Sequence, residues 1–465
     1  MSHPLAQKYP HLEVSVLKLS EVKKHLILGT EFNSAKRQQA LYILKSNKKV
    51  SDYFDLIKSN ILQVNEAVYV YDLTHSLDNF LEEGEVFNAQ KFGSSKQEAQ
   101  AGDFIISRLR SYLQEMAVVP QRHLRQFFST EYLVYRPRTQ EISSNTLMVF
   151  ALSRYVQTVL AYSQYGTEHP RFYEFVFNEM PIPDVIFRLN SKIHLMIENA
   201  YNALEQSKAL YQEAQDLLSS QLGLDSKGLI DNLSNSNHTI KTLKESFLKT
   251  GRLDAEYYQE KYHRIEALIK NYPGGWDIIR SYFWHNKKSC PLKHSRYFYI
   301  EISDIAVGSG AICYHSLEKA ELPDNAKILA KHGDLLVSKV RPNRGAVATI
   351  DHTAPNIIVS GAFVVLREIG GFRKEVLQVL LRLPLYKEYL LKWNVGTSYP
   401  VIKDKDILDL PIPKIPQSIQ EHIAKYLQKS FVLRQQAYKE LERAKLEVEC
   451  ALAGGGGGIP FLNAA

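Results

Sequence analysis

The sequence predicts an α+β protein made of two similar α/β domains, each followed by a long helix. The two helices are expected to pack as an antiparallel coiled coil with pseudo-two-fold symmetry. Two observations support this prediction. Four blocks recur in the same order about 230 residues apart, and each copy ends in a long polar segment with a narrow apolar seam. A repeat of this length is a whole domain, because solenoid units span only ~20–50 residues.

The repeated blocks keep an almost constant offset. Residues 101–110, AGDFIISRLR, return as residues 332–341, HGDLLVSKVR, and residues 128–136, FSTEYLVYR, return 231 positions later as VSGAFVVLR. Residues 165–170, YGTEHP, match VGTSYP at 395–400, and residues 180–183, MPIP, match LPIP at 410–413, each 230 positions apart. Two similar, non-identical domains suggest two similar tasks on two different targets.

The repeat sets the expected domain limits. Residues 1–187 form the first domain and 188–221 its helix, residues 222–416 a linker with the second domain, and residues 417–453 the second helix. Residues 454–465 form a flexible glycine-rich tail.

Each domain has the same expected plan. Short runs rich in Val, Ile, Tyr and Phe predict strands at 104–106, 132–135, 335–337 and 362–366. Helical spacing of apolar residues predicts helices over 147–162 and 375–393, with Gly166 and Gly396 as their C-caps. A Pro-Ile-Pro segment then closes each domain, because proline lacks a hydrogen-bond donor.

The two long helices are predicted over about 190–218 and 418–452. In both, apolar residues recur at the spacing of a narrow coiled-coil seam flanked by charged residues. The seam residues are Ile193, Ile197, Leu204, Tyr211, Ala214 and Leu218 in the first helix, and Ile423, Leu427, Leu441, Ala444 and Val448 in the second.

Composition limits the class of protein. Apolar residues make up 45% and charged residues 23% of the chain, which is typical of a folded protein, and no run of ~18 apolar residues predicts a membrane span. The three cysteines, Cys290, Cys313 and Cys450, are too few and too far apart for a disulfide framework, so we expect a cytoplasmic protein. The net charge of +7 is compatible with a polyanionic partner.

Recognisable catalytic motifs are missing from the sequence. It contains no GxxxxGK[ST] phosphate loop, no HExxH, no GxSxG and no Asn/Asp-Pro-Pro-aromatic motif of amino-methyltransferases. The 15 histidines lack the spacing of zinc ligands. We therefore expect a non-catalytic protein with no metal or cofactor of its own.

The segment 338–345, SKVRPNRG, is the sharpest local signal. It places three cations and one amide around a turn, and arginine offers a planar fork to guanine edges and phosphates. The alternative is a solvated turn that keeps an edge strand soluble. Recurrence in the first domain favours DNA contact. The candidate residues are Ser338, Lys339, Arg341, Asn343 and Arg344, with Ser107, Arg108 and Arg110 in the first domain.

A second signal is the glycine turn at 396–402, GTSYPVI. Its Thr397, Ser398 and Tyr399, with Lys403 behind them, suit contacts to DNA phosphates. The plainer interpretation is a helix cap and loop, and both interpretations can hold together. The counterpart at 166–171, GTEHPR, is less basic.

The chain resembles a known family, the specificity subunits of type I restriction-modification enzymes. The resemblance rests on GDLLVSKVR at 333–341, GTSYPVI at 396–402, LDLPIPKIP at 408–416 with QEHI at 420–423, and LDAEYY at 253–258. It covers nearly the whole chain. In the first domain, Glu168 and His169 replace the hydroxyl–aromatic pair of the motif.

The resemblance implies a non-catalytic subunit with two target-recognition domains, each reading one half of an asymmetric, bipartite site in double-stranded DNA. The helices would set the distance between the halves and dock two methyltransferase subunits, with restriction or translocase subunits as further partners. S-adenosylmethionine and ATP would bind to those partners. The residues named above would line the DNA face.

The sequence leaves open the role of four apolar residues and the choice between related functions. Apolar residues outside the seam, Leu195, Tyr201, Leu433 and Leu446, are either partner-docking positions or part of a fuller intramolecular seam. The alternative functions are the same role in a related phage-defence methyltransferase–nuclease system, or a coiled-coil scaffold that does not read DNA.

Overall fold

The fold is described from a computed structural model that covers residues 8–9, 16–88, 91–224, 239–396 and 398–455. It divides into two compact units. Unit 1 combines the chain up to Leu204 with the segment from Gln435 onwards, and unit 2 is Glu205–Arg434. In the part of the chain that the structure describes, every helix is too short or too polar to cross a lipid bilayer.

Unit 1 contains most of the first repeat. Its helices are α1 (Leu19–His25), α2 (Ala35–Ile43), α3 (Val50–Tyr53), α4 (Ser144–Ala151), α5 (Arg154–Ala161), α6 (Glu174–Asn178) and the start of α7 (Asp184–Gln221). Its strands are β1 (Phe54–Ile57), β2 (Ile61–Gln63), β3 (Val68–Tyr71), β4 (Glu85–Phe87), β5 (Lys91–Ala99), β6 (Phe104–Ser107), β7 (Met116–Val118), β8 (Gln126–Ser129), β9 (Tyr132–Pro137), β10 (Gln164–Tyr165) and β11 (Arg171–Phe172).

Two sheets form the centre of unit 1. One has the order β1-β9-β6-β7 and is antiparallel throughout. The other has the order β2-β5-β8-β3-β4, with β3 and β8 parallel. Strand β6 is buried along its whole length, as expected of a short, continuously apolar strand covered on both faces.

Unit 2 contains the second repeat. Its helices are the end of α7, α8 (Phe247–Thr250), α9 (Glu260–Lys270), α10 (Lys374–Arg382), α11 (Pro384–Leu390), α12 (Asp404–Leu408) and the start of α13 (Gln417–Gly455). Its strands are β12 (Trp276–Ile278), β13 (Phe283–Asn286), β14 (Arg296–Ile300), β15 (His315–Glu318), β16 (Ala326–Ala330), β17 (Leu335–Ser338), β18 (Val347–Thr349), β19 (Ile357–Ser360), β20 (Phe363–Glu368) and β21 (Pro411–Pro413).

The sheets of unit 2 repeat those of unit 1. The orders are β13-β20-β17-β18 and β15-β14-β19-β16, with β14 and β19 parallel. Strands β17, β18, β19 and β20 begin 231 residues after β6, β7, β8 and β9, respectively. The internal repeat predicted from the sequence is therefore confirmed at the level of strand order and register.

The long helices α7 and α13 are 38 and 39 residues long and contribute to the core of each unit. In unit 1 the seam residues of α7 up to Leu204 are buried with Leu441, Ala444 and Val448 of α13. In unit 2 Tyr211, Ala214 and Leu218 share a core with Ile423 and Leu427. The predicted seam residues are all buried; α7 begins several residues earlier than predicted, and α13 begins where predicted.

A polar contact lies in the unit 2 part of this seam. The Ser207 hydroxyl donates to the Ser430 carbonyl at 2.8 Å, and the Ser430 hydroxyl donates to the Ser207 carbonyl at 2.8 Å. Both side chains are fully buried. Serine lets two helices approach closely, and the reciprocal bonds satisfy both buried hydroxyls.

Several local predictions were wrong. The single helix expected over 147–162 is two helices, α4 and α5, because Ser153 caps α5 by accepting a hydrogen bond from Val156 N–H. The helix expected over 375–393 is broken at Pro384, which starts α11. Gly166 and Gly396 are not C-caps, because they lie beyond the helix ends, Gly166 directly after β10.

Candidate nucleic-acid interface

The two basic segments singled out in the sequence occupy equivalent places in the two units. In unit 1 a 3-10 turn, Ser111–Leu113, joins β6 to β7, and in unit 2 the turn Pro342–Arg344 joins β17 to β18. Each turn begins at an arginine, Arg110 or Arg341. Arginine side chains are therefore presented at the same end of equivalent strands.

The glycine loops predicted as the second signal pack directly against these turns. In unit 2, Arg341 N–H donates to the Pro400 carbonyl at 2.7 Å, and Ile402 N–H donates to the Lys339 carbonyl at 3.0 Å. In unit 1, Arg110 N–H donates to the Pro170 carbonyl at 2.8 Å. We call each pair of segments the turn–loop site: residues 338–345 with 395–396 and 398–403 in unit 2, and 107–114 with 164–172 in unit 1.

Both arginines have a strained backbone. Arg110 has φ 48° and Arg341 has φ 49°, in the left-handed region that non-glycine residues rarely adopt. Such a conformation costs about 1–2 kcal/mol in an L-residue. Strain of this kind is found at functional sites, where it fixes the direction of a side chain.

This strain gives a stability prediction. Arg341→Gly and Arg341→Ala both remove the guanidinium, but only glycine adopts the left-handed conformation freely. We expect the glycine variant to be more stable than the alanine variant by about 1 kcal/mol, measured by urea denaturation. Equal stabilities would show that the backbone at this position is not strained.

The unit 2 turn–loop site presents an exposed polar surface. Arg341, Asn343 and Arg344 are exposed, as are Ser398 and Lys403. Tyr399 is 47% exposed, and its ring centroid lies 5.4 Å from the Arg341 guanidinium, within cation–π range. Thr397, which the sequence also marked for DNA contact, lies outside the described residues.

Lys339 is held by the carboxylate of Asp404, which the sequence did not point to. Its Nζ lies 2.9 Å from Asp404 Oδ1, and its side chain is 22% exposed. Burial opposes ionisation of Asp404, but Lys339, His285 and Lys287 together outweigh it and lower the pKa of that carboxyl. Lys339 therefore contributes less positive charge to the surface than Arg341 and Arg344.

The two serines of the motif are not on the exposed surface. Ser107 and Ser338 are buried, and their hydroxyls donate to the carbonyls of Leu109 and Val340 at 3.2 and 2.7 Å. Each hydroxyl also accepts from the N–H of that same residue. The prediction that these serines line a DNA face is corrected, because both hydroxyls are engaged in shaping the turn.

In the unit 1 turn–loop site, more of the positive charge is paired with a carboxylate than in the unit 2 site. Arg171 is paired with Glu131 at 2.6 Å, and Arg108 lies 3.8 Å from the same carboxylate. The hydrogen bond from Arg171 lowers the pKa of Glu131. Arg110 contacts His169 Nδ1 at 3.2 Å. The two sites therefore share a backbone design but differ in their charged surroundings.

In each unit an ion pair with a buried carboxylate lies at the other end of the hairpin from the turn, and it was missed in the sequence. Asp334, at the start of β17, is paired bidentately with Arg367 of β20 at 2.8 Å for both bonds. Asp103 and Arg136 form the same pair in unit 1 at 2.9 and 2.8 Å. The signal was present, because these residues stand at the same positions of two repeated blocks.

The predicted docking residues have different surroundings. Leu195 and Leu446 are 60% and 62% exposed. Tyr201 is half-buried, donates its hydroxyl to the Val118 carbonyl at 2.7 Å and packs edge-on against Phe80. Leu433 is half-buried. Within the described residues, no group of three His, Cys, Asp or Glu side chains is placed to hold a metal ion.

Comparison with known proteins gives structural neighbours only. No family model and no curated protein matches the chain. The S subunit of a type I restriction-modification system from M. genitalium is 11% identical, with a TM-score of 0.42, covering 90% of this chain and 96% of that one.

Two further neighbours come from the same kind of system. The HsdS subunit from Thermoanaerobacter tengcongensis is 14% identical, with a TM-score of 0.28, covering 88% of this chain and 95% of that one. A chain from a structure on assembly and conformational transition of the type I R-M system is 16% identical, with a TM-score of 0.29 and coverages of 88% and 96%. The structural neighbours are thus type I restriction-modification subunits at low sequence identity.

Proposed function

We propose that this chain is the non-catalytic, DNA-reading subunit of a type I restriction-modification complex. Each unit reads one half of an asymmetric, bipartite site in double-stranded DNA. The observation that carries the proposal is the turn–loop site, built on the same backbone in both units, with a strained arginine at its tip and different charges around it. Two turn–loop sites with the same backbone but different charged neighbours suit the recognition of two different half-sites.

The chemistry of the unit 2 site fits a DNA groove. Arg341 and Arg344 offer planar donor forks, which bind guanine edges or phosphate oxygens in two places at once. Asn343 between them is an amide that can pair in two places with adenine. Lys403, Ser398 and Tyr399 supply further donors for phosphate oxygens. One small surface thus offers side chains that can bind base edges and side chains that can bind the DNA phosphates.

The long helices supply the proposed spacer and docking surface. A 38-residue helix is about 57 Å long, compared with ~34 Å for one turn of DNA. We propose that α7 and α13 set the distance between half-sites and dock two methyltransferase subunits, with Leu195 and Leu446 at the contacts. S-adenosylmethionine and ATP then bind to the partners, and restriction or translocase subunits join the same complex.

The test measures DNA binding by the full chain, co-expressed with the proposed methyltransferase partner. We expect Arg341→Gln with Arg344→Gln to weaken binding and to reduce the slope of log affinity against log salt by about 1.8, since each phosphate contact contributes ~0.9. The matched control is Lys244→Gln with Lys249→Gln, which removes two exposed positive charges of unit 2 outside the site.

The outcomes separate the candidate functions. An unchanged slope in the arginine variant would exclude this surface as the DNA interface. Failure of the wild-type complex to bind any duplex would favour the coiled-coil scaffold. The related phage-defence system would show the same binding, and it differs in the enzymes that co-purify with the chain.

A further inference from the structure

We propose that unit 2 also carries a sequence-independent anchor for the DNA backbone. It is a row of five lysines along one sheet edge, which we call the lysine edge: Lys287, Lys288, Lys293, Lys327 and Lys331. The inference rests on the proposed DNA-binding function and adds that the two units contribute unequally. Unit 2 binds the DNA phosphates through these charges, and unit 1 contributes little to the electrostatic attraction.

The lysine edge is one continuous piece of backbone structure. Residues 287–295 join β13 to β14 and run alongside β16, which is an edge strand of its sheet. Cys290 N–H donates to the Lys327 carbonyl, and Leu329 N–H donates to the Lys288 carbonyl, both at 2.9 Å. Asn286 fixes the start of the loop through a 2.8 Å bond to the Leu329 carbonyl.

Four of the five charges along this edge are uncompensated. All five lysines are exposed, and the ammonium groups of Lys288, Lys293, Lys327 and Lys331 have no carboxylate within 4 Å among the residues that the structure describes. Lys287 is 69% exposed and lies 3.7 Å from Asp404. The loop 287–295 contains no acidic residue. Unpaired ammonium groups on one surface attract the phosphates of duplex DNA.

The lysine edge adjoins the turn–loop site of unit 2. Asp404 contacts Lys287 with one carboxylate oxygen and Lys339 with the other, at 3.7 and 2.9 Å. Lys339 belongs to the turn that carries Arg341. A duplex seated on the exposed arginines is therefore within reach of the first lysines of the edge.

The corresponding sheet edge of unit 1 has fewer unpaired charges, although Lys91 is exposed and has no carboxylate within 4 Å among the described residues. There β2 is the edge strand and pairs with β5, with Ile61 opposite Lys96. Lys58 is paired with Glu174 at 2.7 Å, and Lys96 lies 3.6 Å from Asp72. Arg125 is held by Glu98 and Glu66 at 2.7 and 2.9 Å. Apart from the extra edge strand β2, the order of the strands is shared, so the two edges differ chiefly in side-chain charge.

The test uses the full chain with its methyltransferase partner and a 30-bp duplex of arbitrary sequence. We expect Lys288→Gln, Lys293→Gln and Lys327→Gln together to reduce the salt slope by about 2–3 and the affinity at 0.1 M salt by at least ~100-fold. The same three positions changed to Arg retain the slope. The matched control changes Lys58, Lys91 and Lys96 to Gln at the equivalent edge of unit 1, with a loss of slope below about 1.

Each outcome decides the inference. A wild-type slope in the Gln variant, with DNA still bound, overturns the lysine edge and leaves the proposed function standing. Equal losses in the unit 1 and unit 2 variants overturn the asymmetry, because net charge alone then explains the effect. Absence of any duplex binding by the wild-type complex overturns both this inference and the proposed function.

Discussion

The Arg367→Met variant is expected to lose about 3 kcal/mol of unfolding free energy, because it leaves Asp334 as an unpaired charge inside unit 2. The Asp334 side chain is 1% exposed, and both of its oxygens accept from Arg367 at 2.8 Å. The same carboxylate accepts from Lys331 N–H at 3.1 Å, so it also fixes the turn before β17. Urea denaturation followed by circular dichroism measures the loss.

A second arginine of unit 2 provides the control for this prediction. Arg296 also pairs with a carboxylate, Glu318, at 2.6 Å, but the two side chains are 59% and 47% exposed. Exposed pairs contribute only about 0–1 kcal/mol, so Arg296→Met should lose less than about 1 kcal/mol. Similar losses in the two variants would show that the Asp334–Arg367 pair does not stabilise unit 2 through its burial.

Exchange of one unit is expected to change one half of the recognised DNA site and to leave the other half intact. The prediction concerns residues 253–416, replaced by the corresponding segment of a similar protein with a different specificity. The repeat gives unit 2 its own sheets, core and turn–loop site, so its contacts to DNA do not depend on residues of the first domain.

The readout of the exchange is the methylated DNA motif of cells that express the hybrid with its partner. The half assigned to unit 1 should keep its sequence, and the other half should take the sequence read by the donor. Arg341→Gly in the unexchanged chain serves as the control, because it removes one contact and leaves the scaffold. A change in both halves would contradict independent reading by the two units.

The repeat was the part of the fold that the sequence predicted best. Strands β6 and β17 lie where the matching blocks place them, because short apolar runs bounded by glycine and charged residues are strong local signals. The seams of α7 and α13 were also predicted, since helical spacing persists over many turns in each. Both features depend on residues that are near neighbours in the chain.

Features that depend on distant residues were not predictable from one sequence. Lys339 seemed available for DNA, but Asp404, 65 positions later, holds it. Ser338 has a side chain suited to phosphate contact, yet folding buries it in its own turn. The break at Pro384 was signalled locally, but the strong apolar spacing on both sides favoured a single helix.

The strained arginines connect the fold to the proposed function. A left-handed residue in this turn would be most stable as glycine, as Gly345 at the end of the same turn illustrates with φ 78°. Arg110 and Arg341 instead keep a long cationic side chain in both repeats. A repeated cost in stability at an exposed surface is expected where the side chain binds a ligand.

The most direct test of the central claim is methylation-aware sequencing of genomic DNA from cells that express this chain with the proposed methyltransferase partner. We expect a methylated motif with two specific parts separated by a fixed gap, and loss of that motif when the chain is omitted. A stable complex that methylates no defined motif, or a motif unchanged without this chain, would contradict the claim that its two units read DNA.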